Sequence, residues 1–307
     1  MSHNSLVSII VIFFNAQPFI AETIDSILAQ TYVDWELLLV DDGSTDGSTD
    51  VAQRYVQRYP SKIRYLAHPG HQNRGMSATR NLGIHHAKGQ FITFLDADDI
   101  WLSNTLVDQL EILENNPEAA MVYGPIQWWY SWTGLTEDIE KDFIDIPSVL
   151  VGHADVHFDS LIKPPVLLLL LLKGYITISG MLIRRHVLEH IGGFEESFRG
   201  LFEDQVFCSK ICLHYPVYAA SNCWYKYRQH SNSCCATIQK NKEIHAARLA
   251  YLSWLEKYLI KEVFWSSLSW KIISKEKRSY TYLIKSFLSI KRQQLNHLLE
   301  KFTNRLA

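Results

Sequence analysis

Through the first 123 residues, apolar positions form short unbroken runs that alternate with stretches where they recur every third or fourth position. Val7 to Phe14 is an apolar, β-branched run that stops at Asn15, the pattern of a strand covered on both faces. Ile20, Ile24, Ile27 and Leu28 follow at helical spacing and predict a helix over Ala21–Gln30. Trp35–Val40 then reads as a strand, Asp50–Tyr59 as a helix and Ile63–Leu66 as a short strand. Met76–His86 reads as a helix, Phe91–Leu95 as a strand, Asn104–Asn115 as a helix and Met121–Tyr123 as a strand. This alternation predicts an α/β domain with a doubly wound, mostly parallel sheet flanked by helices.

Ligands of such sheets sit beyond the carboxyl ends of the strands. The polar clusters fall there: Asn15 after the first strand, Asp41 and Asp42 after the second, and Asp96, Asp98 and Asp99 after the fourth. Three acids on one turn repel each other, and a bound divalent cation removes that cost. Carboxylate oxygens suit magnesium and manganese. The plainer alternative is an acidic turn capping the helix that begins near Asn104. No GxGxxG follows the first strand and no Walker lysine loop is present, which disfavours ordinary dinucleotide and P-loop enzymes.

Beyond residue 124 the alternation fades. The aromatic stretch from Gln127 to Trp132 reads as packing ahead of sugar stacking. Residues 136 to 160 are acidic and irregular, as in a loop or lid. Val166–Leu172 reads as a short buried helix, and Gly192-Gly193 as a turn. Glu203 and Asp204 open a helix through Lys210, with acids where the helix dipole favours them. Val217–Ala219 and Trp224–Arg228 read as strands, and long helical stretches begin near Lys240.

Composition and charge add two points. With 307 residues and 47% hydrophobic content, the chain can hold one large domain plus an extension, with the boundary expected between 235 and 236. The net charge of −2 hides a gradient, because residues 236–307 carry fourteen Lys and Arg against five Glu. Interleaved with Trp254, Phe264, Trp265, Trp270, Tyr280, Tyr282 and Phe287, that charge suits a helical segment at an anionic membrane surface. It equally suits a segment that packs its aromatic face on the preceding domain or pairs with a second subunit, and these readings stay open. No nucleic-acid recognition motif is present. Five cysteines without a CxxC pair fit neither a disulfide scaffold nor a zinc site. No basic leader or membrane-length apolar run is seen, so a cytoplasmic location is expected, with any membrane contact peripheral and on the inner face.

Several segments in order resemble family 2 glycosyltransferases of the GT-A fold. They are VSIIVIFFNA, LLLVDDGSTDGS, NRGMSATRNLG with Thr79 at the usual alanine, FLDADD, FEDQVF and YRQHSNS. The resemblance covers roughly residues 7 to 233. It implies a GT-A type, Rossmann-like, mostly parallel sheet with a C-terminal helical extension. It further implies transfer of a sugar, with inversion, from a nucleotide-diphosphate donor (a UDP-sugar first among candidates) to a hydroxyl on a glycan or lipid-linked acceptor in surface polysaccharide or glycolipid synthesis. Matched position by position, Asp41 would contact the nucleobase, with the Phe14–Asn15 backbone lining its pocket. Asp96 would hold the ribose, Asp98 would ligate Mn2+ or Mg2+, and His230 would be a further metal ligand. Asp204 would be the catalytic base with Glu203 beside it, and Arg74 and Arg80 would serve the nucleotide region. Arg80 could equally be a buried partner of Asp41 or Asp96.

The chemistry suits these residue types in its own right. The leaving diphosphate must be neutralised, which a divalent metal does as a Lewis acid. The acceptor hydroxyl must lose a proton, which a carboxylate takes. Two other functions remain: a non-catalytic nucleotide-sugar or glycan binding module, and a sugar-phosphate nucleotidyltransferase. The first has no need of a base, and the second carries a basic glycine-rich loop that FFNAQPFIA lacks.

Overall fold

A computed structural model describes residues 5–145, 157–172, 176–234, 236–237, 244–262, 275 and 277–278. The chain divides into two compact units, residues 1–233 and 234–307. In the first, β1 (Val7–Phe13), α1 (Ile20–Leu28), β2 (Trp35–Asp41), α2 (Ser48–Arg58), β3 (Ile63–Ala67), α3 (Met76–His86) and β4 (Phe91–Asp96) follow the predicted alternation. Next come β5 (Ile100–Trp101), α4 (Thr105–Asn115), β6 (Met121–Tyr123), β7 (Ile126–Trp129), α5 (Thr136–Ile139), β8 (Phe143–Asp145), β9 (Ser160–Ile162) and α6 (Val166–Leu171). The unit closes with β10 (Leu182–Arg184), α7 (Arg185–Ile191), α8 (Glu203–His214), β11 (Val217–Ala219) and β12 (Tyr225–Arg228).

Eight strands form the main sheet in the order β3-β2-β1-β4-β10-β6-β11-β9. The block β3-β2-β1-β4 is parallel throughout, and β10 and β9 run against their neighbours. Both β1 and β2 are buried along their whole length, as continuous apolar runs require. The polar residues inside them pair in register: Ser8 Oγ donates to Glu36 Oε1 at 2.6 Å, and Arg64 closes the cluster on Glu36 Oε2 at 2.9 Å. Burying each large aliphatic chain here contributes roughly 1.5–3 kcal/mol. Helix α3 lies close on this sheet, since a Cβ on Gly83 would come within 2.5 Å of Ile10 Cγ2.

A second sheet, β5-β12-β7-β8, was not anticipated as a unit. The turn 97–99 leads directly from β4 of the main sheet into β5 of the small one. The acids there are therefore separated from α4 by a strand, and they do not cap it. Part of the stretch expected to be irregular is regular: α5 and β8 lie within 136–160, β9 begins at Ser160, and residues 146–156 fall outside the described residues. The acids of this stretch make turns. Asp142 accepts from the Tyr130 and Ser131 N–H groups at 2.6 and 2.9 Å, and Asp138 accepts from Thr133 Oγ1 at 2.6 Å. The aromatic stretch packs, as expected: Phe143 stacks on Trp128 at 5.8 Å, and Trp129 is buried.

In the second unit, α9 (Ile244–Lys261) buries Tyr251, Leu252, Leu255 and Leu259, which share one face, and Trp254 stacks on Tyr258 at 4.9 Å. No helix among the described residues is long and apolar enough to cross a membrane. The tail aromatics Phe264, Trp265, Trp270, Tyr280, Tyr282 and Phe287 lie outside the described residues.

Candidate functional site at the carboxyl edge of the sheet

The loops after β1 and β2 are stitched together. Asn15 takes φ +52°, the left-handed region that Asn tolerates better than most residues. Its Oδ1 accepts from the Thr45 and Asp46 N–H groups at 2.7 and 3.3 Å, and its own N–H donates to Ser44 Oγ at 3.1 Å. Phe14 beside it is 51% exposed. Asp41 has no exposed surface and accepts from Ser44 N–H, Thr49 Oγ1 and Tyr65 Oη at 2.8, 2.5 and 3.0 Å. Burial, then the Asp41 charge, pushes the Tyr65 phenol up to about 12, so it stays a donor.

Asp42 organises the next segment. Its carboxylate accepts from Arg74 N–H at 2.7 Å and Gly75 N–H at 3.0 Å, and lies 2.9 Å from Thr79 Oγ1. Gly75 stands at φ +87°, a conformation open to glycine, immediately before α3. The Arg74 side chain is exposed.

The acids after β4 are left partly open. The Asp96 and Asp98 side chains are 34% and 25% exposed. Asp98 Oδ2 meets His230 Nε2 at 3.0 Å, with the ring nitrogen donating, and the His230 ring packs on Phe19 at 4.6 Å. Asp99 is fully buried and accepts from Ser179 Oγ and Arg228 N–H, each at 3.0 Å. Burial raises its pKa well above the ordinary carboxylate value, reinforced by the charges of Asp98 and Asp96.

Arg80 joins the acids after β4 to α8. Buried, it donates to Asp96 Oδ1 at 2.8 Å and to Glu203 Oε1 at 2.9 Å. Of the two partners the sequence left open for Arg80, Asp96 is the one it takes. Phe202, at φ +71°, precedes α8 and swings Glu203 and Asp204 into its first turn. Glu203 is buried; desolvation, then the Asp204 charge, raises its pKa to about 7 against the opposing pull of Arg80. Asp204 is half-buried, accepts from Gln205 N–H at 2.7 Å, and is likewise raised by burial. A carboxylate held above its usual range is a better proton acceptor near neutral pH.

Two contributors escaped the sequence reading. Ser179 ties the turn after β4 to residues 178–180, donating to Asp99 and accepting from Asp96 N–H at 3.2 Å. The guanidinium of Arg228 lies in a cage of Phe19, Trp129 and Trp132, with centroids 5.1, 4.3 and 5.2 Å away. Arg228 stands in the YRQHSNS segment, where the sequence reading gives it no role, and its sequence neighbours carry no signal for such a cage, although the aromatic richness of 127–132 was a clue.

A parallel β3-β2-β1-β4 block with an acid turn, a small second sheet and a helix opened by Glu203 and Asp204 at its edge is the GT-A architecture. The family model for glycosyl transferase family 2 matches residues 8–145 of this chain. Over 119 residues the chain is 38% identical to the UDP-Glc:alpha-D-GlcNAc-diphosphoundecaprenol beta-1,3-glucosyltransferase WfgD of Escherichia coli, covering 39% of this chain and 45% of that protein. It is also 38% identical over 109 residues to the putative teichuronic acid biosynthesis glycosyltransferase TuaG of Bacillus subtilis, covering 35% of this chain and 42% of that one. The chain thus spans less than half the length of either relative. Among solved structures, S. aureus TarS 1-349 in complex with UDP aligns over 80% of this chain and 65% of its own, with TM-score 0.54 and 17% identity. The mannosyltransferase PcManGT of Pyrobaculum calidifontis, in complex with GDP-Man and Mn2+, aligns over 90% and 70%, with TM-score 0.58 and 19% identity. At these identities the structures show the shared fold.

Proposed function

We propose that the protein is a metal-dependent inverting glycosyltransferase that moves a sugar from a nucleoside-diphosphate donor to an acceptor hydroxyl. The observation that carries this reading is Arg80, which links the open acids after β4 to the base-bearing start of α8 at 2.8 and 2.9 Å. Donor-side and acceptor-side carboxylates are thereby held at one edge. The donor sets of the named neighbours, UDP in one and GDP-Man with Mn2+ in the other, support a nucleotide-sugar donor.

The residues suit a divalent cation. Among the described residues, no group of three or more His, Cys, Asp or Glu donors converges as a closed metal cage. Magnesium-type sites typically take one or two protein ligands and complete the shell with substrate phosphates and water. Asp98 Oδ2 and His230 Nε2 stand 3.0 Å apart, the spacing of adjacent corners of an octahedron with bonds near about 2.1 Å. The cation would supply Lewis-acid neutralisation of the leaving diphosphate.

The chain's own groups do the rest. Asp96 orients the ribose with its one free oxygen, since Arg80 holds the other. Phe14 and the Asn15 backbone line the base pocket, and Asp41 forms its floor by fixing Tyr65 and Thr49. Arg74, exposed beside the Asp42 loop, serves the nucleotide region. Asp204 takes the acceptor proton, and Glu203 beside it is locked on Arg80. Attack opposite the leaving group gives inversion. The acceptor is a surface glycan or its lipid-linked precursor, as the names of the relatives suggest.

The test is a panel of nucleotide sugars with Mn2+ or EDTA, followed by nucleoside-diphosphate release and NMR of the product anomer. Metal-dependent release with inverted configuration is expected. Pyrophosphate release from a nucleoside triphosphate and a sugar 1-phosphate, with no nucleoside-diphosphate release from the nucleotide sugars, would instead assign a nucleotidyltransferase, and retention would exclude single displacement.

A further inference from the structure

Arg228 sits where the two sheets meet, and no step above uses it. Its Nε donates to the Asp98 carbonyl at 2.7 Å, its Nη2 to Glu22 Oε2 at 2.6 Å, and its backbone N–H to Asp99 Oδ1 at 3.0 Å. Burying a guanidinium is costly unless charge partners and hydrogen bonds offset it. Here the offsets are one carboxylate, one carbonyl and the faces of Phe19, Trp129 and Trp132. The same Phe19 and Trp132 rings flank His230, at 4.6 and 6.5 Å.

Asp98 and His230 come from chain segments 132 positions apart. Their separation depends on how β12 crosses the turn after β4, and Arg228 makes three bonds at that crossing. We propose that Arg228 is a positioning residue for the divalent-cation site: by pinning the Asp98 carbonyl and the Asp99 carboxylate, it sets the distance between Asp98 Oδ2 and His230 Nε2. This rests on the metal reading above. A planar fork with donors in two directions is needed to reach Asp98 and Glu22 together; a lysine keeps the charge but has one compact head. Loss of a group that orients metal ligands typically weakens metal binding about 10–100-fold.

The experiment counts free Mn2+ by electron paramagnetic resonance as MnCl2, alone or with UDP present, is titrated into the full chain, for wild type, Arg228→Lys and Glu22→Gln. Melting temperatures are measured alongside. Wild type should take up Mn2+, Arg228→Lys should bind it at least about tenfold more weakly, and Glu22→Gln should show a smaller loss in the same direction. A folded Arg228→Lys that binds as tightly as wild type overturns the proposal and leaves the metal reading standing. If Arg228→Lys does not fold, unchanged affinity in Glu22→Gln overturns it. No Mn2+ uptake by wild type, with or without UDP present, removes both the proposal and the metal reading.

Discussion

Asp42, just past β2, and Asp98, just past β4, end neighbouring stretches of the same parallel block, yet their surroundings differ. Asp42 is buried and its carboxylate is taken up by two backbone N–H groups and a hydroxyl. Asp98 is a quarter exposed, its carboxylate meets one histidine, and Asp96 beside it is a third exposed. The first acid closes a loop on itself; the second is left with acceptor capacity facing outward. Acids at strand ends look alike in a sequence, and what separates structural from ligand-binding ones is how many donors the fold supplies.

The largest effect should come from the base. Asp204→Asn should lower transfer by about 10²–10⁴-fold while leaving Mn2+ uptake intact. Near-wild-type turnover would move the base to Glu203. Arg80→Met tests the link between the two groups of acids. Removing one partner of a buried ion pair costs about 3–5 kcal/mol, and urea unfolding at pH 7 should show it; a loss below about 1 kcal/mol would mean that Glu203 and Asp96 need no counter-charge.

Glu203 gives a pH signature. Its pKa stands at about 7 in the folded chain against an ordinary 4.5, so the unfolded chain releases its proton first. The stability it contributes is whole below about pH 4.5 and falls as pH rises toward about 7, by about 3 kcal/mol at most. Glu203→Gln should flatten that part of the stability profile, and an unchanged slope would place the raised group elsewhere. Asp42→Ala is expected to cost about 1–3 kcal/mol by stranding the Arg74 and Gly75 N–H groups, with little effect on Mn2+ uptake.

Most of the parallel block was legible because its strands are continuous apolar runs and its helices keep a clean period; Met76–His86 matches residue for residue. The small sheet was not legible. Its strands β5 and β8 span two and three residues, and β5 pairs with β12, far along the chain. The acids of 136–145 read as irregular because turn-forming Asp residues such as Asp142 have no periodicity. In the site, residue types, their order and the family resemblance singled out the acids and His230 as candidates, and the structure brings Asp98 and His230 to 3.0 Å. Burial was invisible: nothing in DDGSTDGS told that Asp41 would be enclosed by Thr49 and Tyr65, or that Arg80 would choose Glu203 as its second partner.

The contrast between Asp42 and Asp98 can be measured directly by calorimetric titration of UDP and GDP into wild type, Asp98→Ala and Asp42→Ala, with Mn2+ or with EDTA. Nucleotide binding that needs Mn2+ in wild type, persists in folded Asp42→Ala and disappears in Asp98→Ala is the predicted result. Equal binding with and without the metal in wild type and Asp98→Ala alike would contradict it.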